Sequence, residues 1–395
     1  MQESLTPTLP DLLECVLVLD LGRGHAGPYC ARMLMDAGAT VIHVEHPRGD
    51  PLRNEGAMET SFSPAFAFLN GGKQSITLDY TTVRGRALLA DLVARASILV
   101  ENGRPGTLER HGIGMSELLD WNPALVRVSI TNFGLTGPHR DFEASEMTLQ
   151  AASGLMDGNG DAHREPLRYP MNLAQHWAGS NAAYAGLVAY WHALRTGAGQ
   201  QVDVSIQESI TNTWYLNYAD YQYTGSLQTR GQRDLLPASD GDIMVRWQPS
   251  VPYRDILEAM NAPELIDDPE LQPPAILGAK AGALREALRE HSPELTRAEW
   301  LRRGVESRIP VGAMQDLREI EDCEQHSTRE FWDYTTDSKG SRVTVPGRFY
   351  LIDGQPQPAQ LRAVPTLGEH NALVYGGLLG RSSEDLAVLQ REGAI

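Results

Sequence analysis

Short β-branched and aliphatic runs alternate with amphipathic stretches through the first half of the chain. ECVLVLDL (14–21), TVIHVE (40–45), SITLD (75–79), SILVE (97–101), VRVSIT (126–131) and QVDVSI (201–206) have the length and branching of buried strands. Between them apolar positions recur at helical spacing over 28–38, 82–96, 114–120, 145–157 and 177–195. Strand, helix, strand with crossovers of this length predicts an α/β domain built on a parallel sheet. Between 225 and 242 the text turns to GSLQTRGQRDLLPASDGD, which reads as linker and turn. Helical segments near 252–260, 279–290 and 297–306 then predict a second, smaller domain. From about 325 the chain becomes strand-like and proline-rich (SRVTVPGRFYLI, QPQPAQLRAVPTLGEH) and ends in a short helix, SSEDLAVLQREG.

Composition narrows the class. With 395 residues, 42% hydrophobic and 22% charged, the chain is a globular protein of about two domains. No apolar run reaches the roughly 18 residues of a membrane helix. The first residues, MQESLTPTLPDLLE, carry no basic segment ahead of an apolar one, so no secretory signal is expected. Cys15, Cys30 and Cys323 have no C-x-x-C spacing, and a reduced cytoplasmic setting fits them. The net charge of −17 argues against nucleic acid or an anionic membrane as partner. An anionic small molecule remains possible where basic groups cluster.

One such cluster surrounds a glycine loop. Gly22-Arg23-Gly24-His25-Ala26-Gly27 fits G-x-G-x-x-G between a strand and a helix, the setting in which backbone N–H groups attract phosphate. Glu45 closes the next strand, where an acid would meet a ribose in an NAD enzyme. Pro28 after the third glycine and the turn His46-Pro47-Arg48-Gly49-Asp50 weaken the NAD reading. A ligand-free turn and a site for another nucleotide-bearing ligand both remain open. Arg23, His25, His46, Arg48, Lys73, Arg104 and Arg110 all fall in this part of the chain, in turns after predicted strands or in the helix that follows.

An ordered series of short motifs carries the identification further. It runs through Leu21-Gly22-Arg23, Ala26-Gly27-Pro28, Asp36-Ala37-Gly38-Ala39, Leu69-Asn70, Lys73, Leu78-Asp79, Val100-Glu101-Asn102 and Arg104-Pro105-Gly106. It continues through Arg110, Asn122-Pro123-Ala124-Leu125, Phe133-Gly134, Ser153-Gly154-Leu155-Met156, Arg195-Thr196-Gly197, Val202-Asp203-Val204-Ser205 and Leu367-Gly368-Glu369-His370. Together these resemble the class III CoA-transferase family, which includes formyl-CoA transferase, carnitine CoA-transferase and α-methylacyl-CoA racemase. The resemblance implies a Rossmann-like large α/β domain (1–225), a small α+β domain (226–325) and a C-terminal segment (326–395) returning to the large one. It also implies an interlocked-ring dimer and a glycine loop that cradles coenzyme A, present as substrate, with neither NAD nor a metal. By position in the family the implied contacts are Lys73, Asn102, Arg104 and Arg110, and His25, Ala26, His46 and Arg48 of the loop and turn complete the expected set. Gly103 departs from the family, which usually places an aromatic residue there.

A second departure concerns mechanism. The family's nucleophile is an aspartate carboxylate ahead of a long helix. It takes the acyl group from the donor thioester as a mixed anhydride; the released CoA thiolate then attacks to give an aspartyl-CoA thioester, and the acceptor acid takes the CoA. Here the matching segment is Asn172-Leu173-Ala174-Gln175-His176-Trp177-Ala178-Gly179, so the aspartate position holds Gln175. Its amide nitrogen lone pair is delocalised and cannot enter that cycle. The racemase branch fails too, since its histidine segment is matched by Ala144-Ser145-Glu146. Three accounts follow. This chain is a non-catalytic subunit whose homologous sister chain carries the aspartate, an arrangement resembling the two-subunit benzylsuccinate CoA-transferase. Or it is catalytic, alone or as a homodimer, through another carboxylate, with Glu146 nearest. Or the fold serves a different acyl-CoA reaction.

His25 and His176 are weaker candidates for catalytic groups: His25 reads equally as a phosphate or solvent contact, and His176 reads first as a packed or capping residue. The family's glycine-rich lid has its nearest counterpart in Arg230-Gly231-Gln232-Arg233. His43 and His46 form the one close histidine pair, without a third ligand, so no metal site is expected. Trp177, Tyr184, Trp191 and Trp214 could line an acyl pocket, but aromatic residues on packed helices read first as core.

Overall fold

The computed structural model describes residues 12–56, 63–227, 230, 235–245, 253–259, 262–267, 288–336, 342–354 and 362–395. The chain divides into two compact units, one of Met1–Arg230 with Thr328–Ile395 and the other of Gly231–Ser327.

The first unit is a mixed α/β body on a six-stranded parallel sheet. Its strands are β1 (Leu17–Asp20), β2 (Thr40–Glu45), β3 (Gln74–Thr77), β4 (Ile98–Glu101), β5 (Val126–Thr131) and β6 (Gln200–Ser205). Their order is β3-β2-β1-β4-β5-β6, the doubly wound arrangement in which β1 lies between β2 and β4. Both faces are buried, so neighbouring residues of one strand enter different cores. Val18 of β1 and Ile98 and Val100 of β4 pack on one side; Leu19 and Leu99 pack on the other. Its helices include α1 (Ala26–Asp36), α2 (Pro64–Asn70), α3 (Val83–Val93), α4 (Thr107–Arg110), α5 (Met115–Trp121), α6 (Glu146–Ala152) and α7 (Leu173–Thr196). α1 and α7 cover the first face. α3 and α5 cover the second, where Val374, Tyr375 and Leu389 of the C-terminal stretch join them.

α7 owes its close seat to small residues. Ala174, Ala178, Ala182, Gly186, Ala189 and Ala193 recur about a turn apart on its inner face. A Cβ on Gly179 would stand 2.8 Å from the Ala26 carbonyl oxygen of α1, so only glycine allows this approach. The opposite face corrects the core reading of the aromatic residues. Trp177, Tyr184 and Trp191 are 46%, 73% and 63% exposed.

Two elements differ from the sequence reading. α2, capped by Ser63 with Pro64 in its first turn, was hidden because its seven residues are too few to show a period. In the second unit, the end of the stretch read as linker, from 235 to 242, instead belongs to a hairpin, β7 (Leu235–Ala238) and β8 (Gly241–Val245) turning over Ser239 and Asp240. With β9 (Val311–Ala313) it makes a three-stranded sheet over Leu236, Ile243, Leu257 and Trp300. Most of the helical stretch read at 279–290 lies outside the described residues. Among the described residues, no helix is long and apolar enough to cross a membrane.

Candidate functional site

The loop after β1 is built by contact between its own glycines. A Cβ on Gly22 would lie 2.8 Å from Gly27 Cα and from an Asp20 carboxylate oxygen, so the turn closes only with hydrogen at that position. Asp20 accepts the Gly22 N–H at 2.9 Å through one oxygen. Its other oxygen accepts Lys73 Nζ at 2.8 Å and lies 3.1 Å from His43 Nδ1. Burial opposes ionisation of Asp20, but the Lys73 ammonium and then His43 outweigh it and hold the carboxyl at about 2.

This arrangement relocates Lys73. Its ammonium also donates to the Pro28 carbonyl and to Asn70 Oδ1, each within 2.9 Å, and its side chain is fully buried. All three protons are used within the protein. Lys73 therefore sits beneath the loop as its support, where a free phosphate contact was expected. Glu45 is likewise engaged. Arg53 donates to both its oxygens and Ser75 Oγ to one, so it holds the His46–Asp50 turn instead of facing a ribose.

Asn102, at the end of β4, clamps the glycine loop from the other side. Its Oδ1 accepts the Arg23 N–H and its Nδ2 donates to the Arg23 carbonyl, both at 2.8 Å. Beneath it, buried Arg127 ties Glu101 to Glu109, and Glu101 in turn accepts the Gly103 N–H. The loops after β1 and β4 thus meet, each fixed from below, at the point where the strand order reverses. Open α/β sheets bind ligands at this crevice.

Two adjoining cavities open there, sharing Asn102, Gly103 and Arg104. The larger, 390 Å³, gathers Arg104, Arg110 and Arg140. The smaller, 210 Å³, is lined by Leu21, Arg23, Tyr80 and Leu108. Arg104 pairs with Glu143 at 2.5 Å while both stay largely exposed. Arg110 donates to Thr107 Oγ1 at 3.1 Å. Arg140 was missed from sequence; the signal available was its place two residues after the Thr136-Gly137-Pro138 turn. His46 and the exposed Arg48 share the turn after β2, with His46 Nδ1 accepting the Arg48 N–H and His46 Nε2 3.7 Å from Asp79. Ala26 is buried at the start of α1 and has only backbone to offer.

The second part of the site is the N-terminus of α7. Asn172 provides no side-chain cap. Glu146, buried on α6, does so instead: Oε1 accepts the Ala174 N–H at 2.8 Å, and Oε2 lies 3.4 and 3.5 Å from the backbone and side-chain nitrogens of Gln175. Gln150 Nε2 donates to Oε1 as well, at 2.7 Å. A carboxylate engaged in this way is a structural cap. Asn172 Nδ2 stands 2.9 Å from His25 Nε2. His176 lies flat on Tyr29, with ring centroids 4.6 Å apart, and 5.7 Å from the His25 ring. Burial lowers the pKa of both histidines; that of His176 falls to about 4, with His25 beside it adding to the effect. Both are therefore neutral at pH 7. They can hydrogen-bond a carbonyl but bring no cation to a developing oxyanion. Gln175, in the first turn of α7, presents an amide.

The groove suits a ligand carrying several phosphates, since it joins guanidiniums to a glycine loop at a helix N-terminus. Among the described residues, no group of three His, Cys, Asp or Glu side chains could hold a metal ion.

Comparison with known proteins agrees with this architecture. Succinyl-CoA–D-citramalate CoA-transferase of Chloroflexus aurantiacus is 30% identical over 98% of either chain. Subunit BbsE of succinyl-CoA:(R)-benzylsuccinate CoA-transferase from Thauera aromatica is 31% identical, over 88% of this chain and 90% of its own. The crystal structure of a CAIB/BAIF family protein from Brucella suis superposes with a TM-score of 0.81 at 27% identity, covering 92% of this chain and 98% of that one. The profile of CoA-transferase family III matches residues 13–371, and the chain belongs to that family.

Proposed function

We propose that this chain is the non-catalytic subunit of a two-chain class III CoA-transferase, which moves CoA between an acyl-CoA and a carboxylic acid. A homologous sister chain supplies the aspartate. The observation that carries this reading is Gln175 at the head of α7, with Glu146, the carboxylate that faces its nitrogens, engaged in capping that helix. The groove would hold the nucleotide and pyrophosphate of CoA through Arg23, Arg104, Arg110 and Arg140, and the thioester end would approach His25 and Gln175. Gln175 can donate to a thioester carbonyl but cannot form the anhydride.

The relative from Thauera aromatica, itself a subunit, supports a paired assembly. So does the exposed apolar stripe of Trp177, Tyr184, Val188 and Trp191 on α7, an apolar face of the kind that marks a protein contact. A cytoplasmic setting belongs to this reading and agrees with three unpaired cysteines.

The test is exchange of CoA between labelled succinate and succinyl-CoA by the purified chain, by its Gln175→Asp variant, and by the chain with its sister. The expected results are none alone, a trace with Gln175→Asp, and full exchange with the sister. Exchange by the unaltered chain alone would defeat the reading and make Glu146→Gln the next variant.

A further inference from the structure

We propose that Asn172 is the residue that meets the thioester carbonyl of a bound acyl-CoA, with His25 holding its amide in place. The inference rests on the CoA reading above and adds to it the side chain that reads the acyl end. Two consecutive residues ahead of α7 forgo their local preferences. Met171 has a φ of +59°, in the left-handed region that favours glycine, and its side chain is 74% exposed, so burial does not hold it there. Asn172 occupies the N-cap of α7, where an asparagine ordinarily accepts a backbone N–H, yet it makes no such bond. Glu146 does that work. The Asn172 amide instead reaches the loop after β1, with Nδ2 2.9 Å from His25 Nε2. A strained residue persists where its neighbours are fixed, and such residues cluster at ligand sites. Here Tyr169 is tied to Gln150 through both its backbone groups, at 2.8 and 3.3 Å, and α7 is seated on α1 at Gly179. The shared product of the two departures is the bridge between Asn172 and His25.

That bridge leaves a donor on Asn172. An amide nitrogen carries two protons and the amide oxygen none. If the nitrogen faces His25, one N–H remains; with the amide turned round, both remain. His25 has no such reserve. Its Nε2 is in the bridge and its Nδ1 is buried without a partner, so the ring would have to break the bridge to reach a ligand. The side-chain nitrogen of Gln175, three residues on, lies 3.5 Å from Glu146 Oε2. Asn172 therefore presents an N–H at the head of a 24-residue helix, whose positive end attracts a carbonyl oxygen. A neutral N–H polarises a thioester carbonyl but makes no bond to its carbon, so the acyl group is recognised and left intact.

Acetyl-CoA and S-ethyl-CoA differ by that carbonyl alone, a methylene replacing it in the thioether. The experiment is calorimetric titration of each into the folded chain and its Asn172→Ala and Asn172→Asp variants, with thermal melts to confirm folding. One hydrogen bond predicts that the unaltered chain prefers acetyl-CoA by roughly tenfold. Asn172→Ala should bind the two ligands equally, and so should Asn172→Asp, which keeps the shape but has no N–H. Nitrogen NMR of the His25 ring should report the same tautomer with either ligand, because the bridge stays closed. Equal binding of both ligands by the unaltered chain, a preference retained in either variant, or a His25 tautomer that differs between the two complexes would overturn the assignment while leaving CoA binding intact. If the unaltered chain bound neither ligand, the reading beneath the assignment would fall, and the assignment with it.

Discussion

Two sets of cations surround the glycine loop, and their surroundings give them opposite work. Lys73, below the loop, is wholly buried and spends every proton on Asp20, Pro28 and Asn70. Arg104, above it, is 75% exposed and Arg110 pairs with no carboxylate among the described residues. A buried cation that lost its partner would be left in a low dielectric at a cost of several kcal/mol. An exposed one remains solvated and contributes little to folding. The lower set therefore fixes the shape of the loop, and the upper set is free to bind. Residue type alone does not separate the two; burial does.

The comparison breaks if the two sets respond alike to mutation. Lys73→Met should destabilise the protein by about 3–5 kcal/mol in urea unfolding, because Asp20 loses its main partner inside the core. Arg110→Ala should leave stability within about 0.5 kcal/mol. It should weaken CoA binding by roughly tenfold, measured by titration, as one charge-assisted contact is lost. Equal destabilisation by both variants would erase the distinction.

Acid sharpens the same contrast. The Asp20 carboxyl is held at about 2 in the folded chain, below its ordinary 3.8. A depressed carboxylate adds stability that is complete above its unfolded pKa and lost as pH falls through the folded one. That contribution should disappear between about pH 4 and pH 2, and Lys73→Met should shrink this step in a pH series of urea midpoints. His176 acts at a higher pH. Its folded pKa of about 4 lies below the ordinary 6.5, so the unfolded chain takes up the proton first and stability declines as pH drops from 6.5 toward 4. His176→Phe keeps a ring against Tyr29 and should flatten that part of the series. An unchanged slope would mean that His176 is not the group that titrates.

The parallel sheet and the glycine loop were legible in the sequence because each strand is a short β-branched run and the loop sits between β1 and α1. The fate of Lys73 was not, since its partner Asp20 is 53 residues away and comes near only when β1 and β3 join one sheet. The β7–β8 hairpin was hidden by its polar residues and its proline, which read as turn chemistry. Trp177, Tyr184 and Trp191 occupy helical positions compatible with either face of α7. Only the small residues of the other face, packed against α1, show which side is buried. At the site, Gln175 was visible as a departure. That Glu146 is held by the backbone of α7 required the fold, because 28 residues separate it from Ala174.

Intact-protein mass spectrometry tests the central claim most directly. The purified chain would be incubated with succinyl-CoA, weighed, and weighed again after hydroxylamine, alone and with its sister chain. The account predicts no covalent adduct on this chain and a CoA-sized, hydroxylamine-sensitive adduct on the sister. The same adduct on this chain alone would show that one of its own carboxylates becomes a thioester, and would contradict the account.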